Sequence, residues 1–331
     1  MFYGHSGTGK SEAILRLMRL ILAQNAKAKF RVLVGDGSGA TYEESGLVEE
    51  GVIQLASWEG RDWPITTLYQ LSEGYFPADP LDPQSPLVKP TPESLADIQL
   101  WAFEGLSVGA QYIMGDAKGG LAYRAGKGEK LGQDAPFRIV DGPSDAKGNP
   151  TSAETPVYGG NPLAHYGVAQ RRILGWIERA KALPGEFMVM TAHERSAEDK
   201  LTKENIIGPE VGGSALTPTI QRMFGNTLHF VTVEKRTKET DDFTKKLVDD
   251  LDVRFRLYTR DHVSATTGQK FKAITRGGLT TYMEKDAKGK EVEVDEMPLF
   301  LESPKPGDSI EEFYSRLAAA RTRRRPLGVV A

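Results

Sequence analysis

The apolar residues of this chain fall into two alternating patterns. Predominantly apolar runs recur at Phe30–Gly35 (FRVLVG), Val52–Ser57 (VIQLAS), Ile98–Phe103 (IQLWAF) and Phe187–Thr191 (FMVMT). Such runs predict strands of a parallel sheet, because a strand covered on both faces has no polar side. Between them lie stripes at helical spacing. Ile14, Leu17, Met18, Ile21 and Leu22 predict a helix over Glu12–Ala23. Tyr166, Ala169, Ile173, Ile177 and Ala180 predict another over Pro162–Ala182, with Arg171, Arg172, Arg179 and Lys181 on its solvated side. Trp63–Gly74 and Ser309–Ala320 read as shorter helices, and Thr227–Val233 reads as a strand by its β-branched content. Arg254–Tyr258 (RFRLY) and Lys270–Thr275 (KFKAIT) alternate strictly, which predicts half-exposed antiparallel strands joined as a hairpin through Asp261–Gly268. The sum is an α/β fold: a mostly parallel sheet flanked by helices, with antiparallel strands toward the C-terminus.

Two stretches interrupt the pattern. Six prolines punctuate residues 76–92, and residues 115–160 are rich in Gly, Lys, Asp and Pro. Both predict insertions between core elements. The basic run Gly119–Lys130 reads either as a loop closing over a ligand or a phosphate backbone, or as a solvated insertion. The domain reading is a core over residues 1–280 with these insertions, then an extension over 281–331 carrying a helix and a basic tail.

One motif changes the picture. Gly4-His5-Ser6-Gly7-Thr8-Gly9-Lys10-Ser11 fits G-x-x-x-x-G-K-[ST], directly before the first helical stripe. The glycines let the backbone turn its N–H groups inward as an anion nest. Lys10 then reaches the β- and γ-phosphates of a nucleotide, Ser11 offers a hydroxyl to Mg²⁺, and the helix dipole adds its positive end. All eight residues, Gly4, His5, Ser6, Gly7, Thr8, Gly9, Lys10 and Ser11, are therefore candidate nucleotide contacts. Only Met1, Phe2 and Tyr3 precede the loop, so its strand is expected to be very short and to depend on pairing inside a sheet.

A second acid is needed to hold the metal's water shell or polarise a water. Glu104, at the end of IQLWAF, stands where that acid belongs, and an ordinary strand-end carboxylate is the plainer alternative. Asp36, in the Gly-rich turn after FRVLVG, is another candidate. Thr191, the last residue of the apolar FMVMT run, and His193 just after it are candidate γ-phosphate sensors at the end of the sheet where open α/β folds bind ligands, and a structural histidine is the plainer alternative. Lys270, Lys272 and Arg276 are candidate trans-acting cations toward a neighbouring subunit, or simply a solvated strand face.

Composition narrows the partners. A formal net charge of −3 excludes a basic surface over the whole protein, so any nucleic-acid contact is local. The four arginines among Arg321-Thr322-Arg323-Arg324-Arg325 make one such local point, or a solvated end. With no cysteine there is no disulfide, thiolate catalysis or Cys-ligated zinc. No apolar run approaches the roughly 18 residues of a membrane span and no signal peptide is visible, which predicts a cytoplasmic protein without a membrane partner.

Taken together, the motif, the strand ending FEGLS (Phe103–Ser107), the strand end MTAHE (Met190–Glu194) and the GPEVGGSALTP segment resemble the RecA-like P-loop ATPases. The resemblance is to the short phage recombinase-core and AAA-family nucleotide-binding proteins, over residues 1 to about 280. It implies a RecA-type core binding ATP with Mg²⁺ between subunits of a homo-oligomer. It implies Lys10 and Ser11 as phosphate and metal contacts, Glu104 as second acid, and a role in recombination or replication on single-stranded DNA. RecA-like proteins often carry a catalytic Glu after the strand that follows the first helix. Here that place reads Gly35-Asp36-Gly37-Ser38, leaving Asp36 or Glu104 to substitute. Two other readings stay open: a nucleotide-gated interaction or assembly protein with little turnover, and a small-molecule kinase.

Overall fold

A computed structural model describes residues 1–57, 65–82, 85–119, 162–198, 204–211, 216–217, 220–240, 247–264, 267–275, 281–285, 289–295 and 297–324. The first part of the chain forms β1 (Phe2–Tyr3), α1 (Lys10–Gln24), β2 (Lys29–Val34), α2 (Gly39–Glu43), β3 (Ile53–Ser57) and α3 (Ile65–Ser72). The proline-punctuated stretch folds as a small hairpin, β4 (Phe76–Pro77) with β5 (Leu87–Val88), and ends in α4 (Pro92–Leu95), capped by Thr91. Then come β6 (Ile98–Glu104), α5 (Leu106–Gly119), α6 (Pro162–Lys181), β7 (Phe187–Ala192), β8 (Glu194–Glu198) and β9 (Asn205–Pro209). A 3₁₀ turn at Ile220–Met223 leads into β10 (Asn226–Thr240), β11 (Leu247–Tyr258), β12 (His262–Val263), β13 (Lys270–Phe271) and β14 (Ile274–Thr275). The chain ends in β15 (Thr281–Lys285), β16 (Glu291–Asp295), β17 (Phe300–Ser303) and α7 (Ser309–Arg324).

The main sheet runs β17-β11-β10-β1-β7-β6-β2-β3. From β10 to β3 every pairing is parallel, while β11 is antiparallel to β10 and β17 antiparallel to β11. Two-residue β1 lies inside this sheet, paired through Phe2 and Tyr3 to Leu228 and His229 on one side and to Thr191 and Ala192 on the other. Pairing on both edges explains how so short a strand holds its place.

Right-handed crossovers sort the helices by direction of travel. The chain moves from β1 outward to β2 and β3, so α1 and α2 lie on one face. There α1 buries Ala13, Ile14, Leu17, Met18 and Ile21 with Phe30, Val32 and Tyr42, joined by Ile310, Phe313 and Leu317 of α7. It then returns through β6 to β7, so α3, α5 and α6 lie on the other face. Leu68, Leu71, Ala110, Ile113, Ile173, Trp176 and Ile177 pack there with Tyr3, Trp101 and Phe103. Each fully buried Leu, Ile or Phe contributes about 1.5–3 kcal/mol to these two cores. The stretch after residue 280 is tied to the core, because β17 joins the main sheet and α7 packs on α1.

The expected hairpin between Arg254–Tyr258 and Lys270–Thr275 does not form. β11 pairs with β10 and β17, whereas Lys270–Phe271 pairs with β12 and, in parallel, with β9. Alternation reports which face of a strand is covered, not which strand is its neighbour. The resulting small sheet, β12-β13-β9-β8, sits beside Tyr3 of β1 and His229 of β10. Among the described residues, no helix is long and apolar enough to cross a membrane.

Candidate functional site

Parallel strands deliver their following loops to one edge of the sheet, and four of those loops meet after β1, β2, β6 and β7. Gly4 leaves β1 with its N–H on the Ala192 carbonyl, 3.2 Å away, and φ +150°. A Cβ there would lie 2.2 Å from the Phe230 carbonyl oxygen, so the loop starts pressed against the backbone of β10. Gly9 closes the loop at φ +88° as the N-cap of α1, with no side-chain cap. Its missing Cβ leaves room for Pro306, whose own Cβ would be 2.7 Å away. The first N–H groups of α1 therefore open into the loop without a capping side chain, the arrangement that receives an anion.

Lys10 is buried beneath this loop and donates to the carbonyls of Gly4, at 3.0 Å, and His5, at 2.7 Å. Burial holds its ammonium below the usual lysine range, against the opposing pull of Glu104, Asp36 and Glu194. Ser11 Oγ donates to Glu104 Oε2 at 2.9 Å, and the Tyr42 hydroxyl donates to Glu104 Oε1. Thr191 Oγ1 lies 3.4 Å from Oε2 and accepts the Gly105 N–H at 3.0 Å. Glu104 is 1% exposed, and burial raises its carboxyl to about 7 despite the Tyr42 and Ser11 hydrogen bonds, with Asp36 adding to the rise. A buried carboxyl so uncomfortable as an anion would be relieved by a cation.

Asp36 sits next to this group, at the end of β2, with Ser38 Oγ donating to its Oδ1 at 2.7 Å. His193 is held through its main chain: its N–H donates to Ser107 Oγ at 2.8 Å and its carbonyl accepts from Glu210 N. The residue that reaches the loop is its neighbour Glu194. One Glu194 oxygen lies 2.8 Å from His5 Nε2 and the other 3.0 Å from His229 Nε2. Burial alone would raise this carboxyl, but His229, His5 and Lys10 outweigh it and hold it low. His229 is fully buried and kept low mainly by that burial. Glu194, Tyr42 and His229 are absent from the candidates read from the sequence. An acid directly after a buried strand was a usable signal for Glu194, and none marked Tyr42 or His229.

The structure does not bring the candidate cations to this site as unpaired charges. Lys270 Nζ is 2.5 Å from Glu204 and Lys272 Nζ is 2.8 Å from Asp261. Arg276, residues 120–130 of the basic run, residues 212–215 and 218 of the GPEVGGSALTP segment, and Arg325 lie outside the described residues. No known protein family matches this chain, and no curated protein matches it either.

Proposed function

We propose that this chain is a Mg²⁺-dependent ATP-binding and ATP-hydrolysing protein with a RecA-like core. The observation that carries the reading is the convergence of Lys10, Ser11 and Glu104, from two sequence regions, beneath one glycine-rich loop. The strand order supports it, because β7 separates β1 from β6 and places Thr191 between the loop and Glu104.

The donor set suits Mg²⁺. Among the described residues no three His, Asp or Glu side chains cluster as a metal cage. A nucleotide-borne Mg²⁺ needs none, since it takes one or two protein oxygens and fills its shell with phosphates and water. Ser11 and the raised carboxyl of Glu104 would supply those oxygens. When bound, the ion neutralises phosphate charge during in-line attack by water. Lys10 would turn from the Gly4 and His5 carbonyls to the β- and γ-phosphates. The N–H groups of the loop and of α1 would hold the remaining phosphate oxygens. Glu104 or Asp36 would orient the water.

The resemblance to phage recombinase-core proteins adds the rest: recombination or replication on single-stranded DNA, a homo-oligomer, and the host cytoplasm. A second reading, nucleotide-gated assembly with little turnover, is favoured by one observation. Three carboxylates around the loop are engaged: Glu104 by Ser11 and Tyr42, Asp36 by Ser38, and Glu194 by two histidines. Phosphate release from Mg·ATP, with and without single-stranded DNA, separates the two. Turnover stimulated by DNA and lost in Lys10→Ala supports the first reading; binding without turnover supports the second.

A further inference from the structure

A cleft of about 710 Å³ opens beside the phosphate loop, within the roughly 300–1,000 Å³ of small-molecule sites. His5, Ser6 and Thr8 form its near wall. Its far wall carries Tyr258, His262, Phe271 and Phe300. We propose that this cleft seats the nucleobase and sugar of the bound nucleoside triphosphate, with Tyr258 as the stacking surface and His262 stacked behind it. The proposal rests on the nucleotide reading above and adds where the nucleoside end lies.

Direction comes first. Lys10, Ser11 and Glu104 fix the terminal-phosphate end, and Glu104 lies at the end of β6, on the β7 side of β1. A triphosphate lying in the loop with that end toward Glu104 points its other end across β10, on the opposite side of β1. The cleft lies there, lined by residues of β10, β11 and the small β12–β13 hairpin.

The rings supply the chemistry. Tyr258 and His262 stack with centroids 3.5 Å apart and planes 6° apart. Phe271 continues the stack 4.9 Å from His262 and 8° off parallel, and His229 and Tyr3 carry it down into the core. Tyr258, His262 and Phe271 are each partly exposed. At the Tyr258 end of this stack a base can add its own ring, since any base has the π-face required. Burial and the neighbouring His229 hold His262 down to about 4, so its ring is uncharged at neutral pH.

The test uses the full chain, Mg²⁺ and two calorimetric probes, ATP and inorganic tripolyphosphate. ATP is expected to bind roughly tenfold or more tightly than tripolyphosphate. Tyr258→Leu and His262→Ala should each remove most of that advantage and leave tripolyphosphate binding unchanged, which also certifies the fold. Tyr258→Phe, which keeps the ring, should retain it. Equal affinity for the two probes in the unmodified chain would overturn the nucleoside seat alone, as would an ATP advantage untouched by both ring-removing variants. Failure of both probes to bind the unmodified chain would overturn the phosphate-loop reading and this proposal with it.

Discussion

Ser11 Oγ donates to Glu104 Oε2 at 2.9 Å across 93 positions of sequence. That bond joins the start of α1 to the end of β6, although the two strands concerned, β1 and β6, are not neighbours. It leaves a hydroxyl and a carboxyl group side by side beneath the glycine-rich loop. A carboxyl already raised to about 7 is poised to accept a cation there.

Glu104→Gln keeps the shape and one acceptor while removing the charge. Mg·ATP binding should persist and phosphate release should fall roughly 10²–10³-fold, the scale seen when one preorganised polar group is lost. Steady-state phosphate release alongside calorimetric binding checks both halves. An undiminished rate would make Glu104 an ordinary strand-end carboxylate.

Gly4→Ala tests the close approach of the loop to β10. The added methyl meets the Phe230 carbonyl at 2.2 Å and the backbone stands at φ +150°. That oxygen is main chain, not the flexible end of a side chain, so β1 must shift inside the sheet. A loss of roughly 2–4 kcal/mol in urea denaturation is expected. Gly7→Ala, with no atom within 4 Å of the new methyl, should lose distinctly less.

Glu194→Ala should destabilise the chain by roughly 1–3 kcal/mol, because it strips the buried His229 of its partner. His193→Ala, one residue earlier, should be nearly neutral, since His193 is held by its main chain. Denaturation midpoints of the two variants would decide this, and equal midpoints would contradict it.

The sheet was legible where burial was complete. FRVLVG, IQLWAF and FMVMT became β2, β6 and β7 because strands covered on both faces have continuous apolar runs. α5 went unread although Leu106, Ala110, Ile113 and Met114 carry its stripe, because Gly105, Gly109 and Gly115 argue against a helix. β8 reads ERSAE and is largely exposed, so no apolar signal marks it. At the site, the glycine-rich turn into α1 and the strand-end position of Glu104 were legible in the sequence. Tyr42 on a five-residue helix and His229 within a strand are joined to the site only by tertiary contact.

His262 gives the pH dependence a sign. Its ring is held down to about 4 by burial and by His229, against the Arg260 carbonyl and Asp261, with Tyr258 and Phe271 stacked on it. Between about 4 and the unfolded value of 6.5 the unfolded chain takes up a proton that the folded chain refuses. Its contribution is therefore complete above pH 6.5 and is lost as pH falls toward 4. Because the ring is partly exposed, this amounts to roughly 1 kcal/mol. Melting temperatures at pH 7 and pH 5 should fall further for the unmodified chain than for His262→Gln, and parallel falls would contradict the assignment.

The central claim is that residues 4–11 wrap a triphosphate with main-chain donors and the Lys10 ammonium. Calorimetric titration of the folded chain with Mg·ATP tests it most directly, with Lys10→Ala as the comparison. The account predicts saturable one-site heat from the unmodified chain and its loss, or a weakening of at least tenfold, in the variant. No heat from Mg·ATP or Mg·GTP on a well-folded sample, or equal binding by Lys10→Ala, would contradict it.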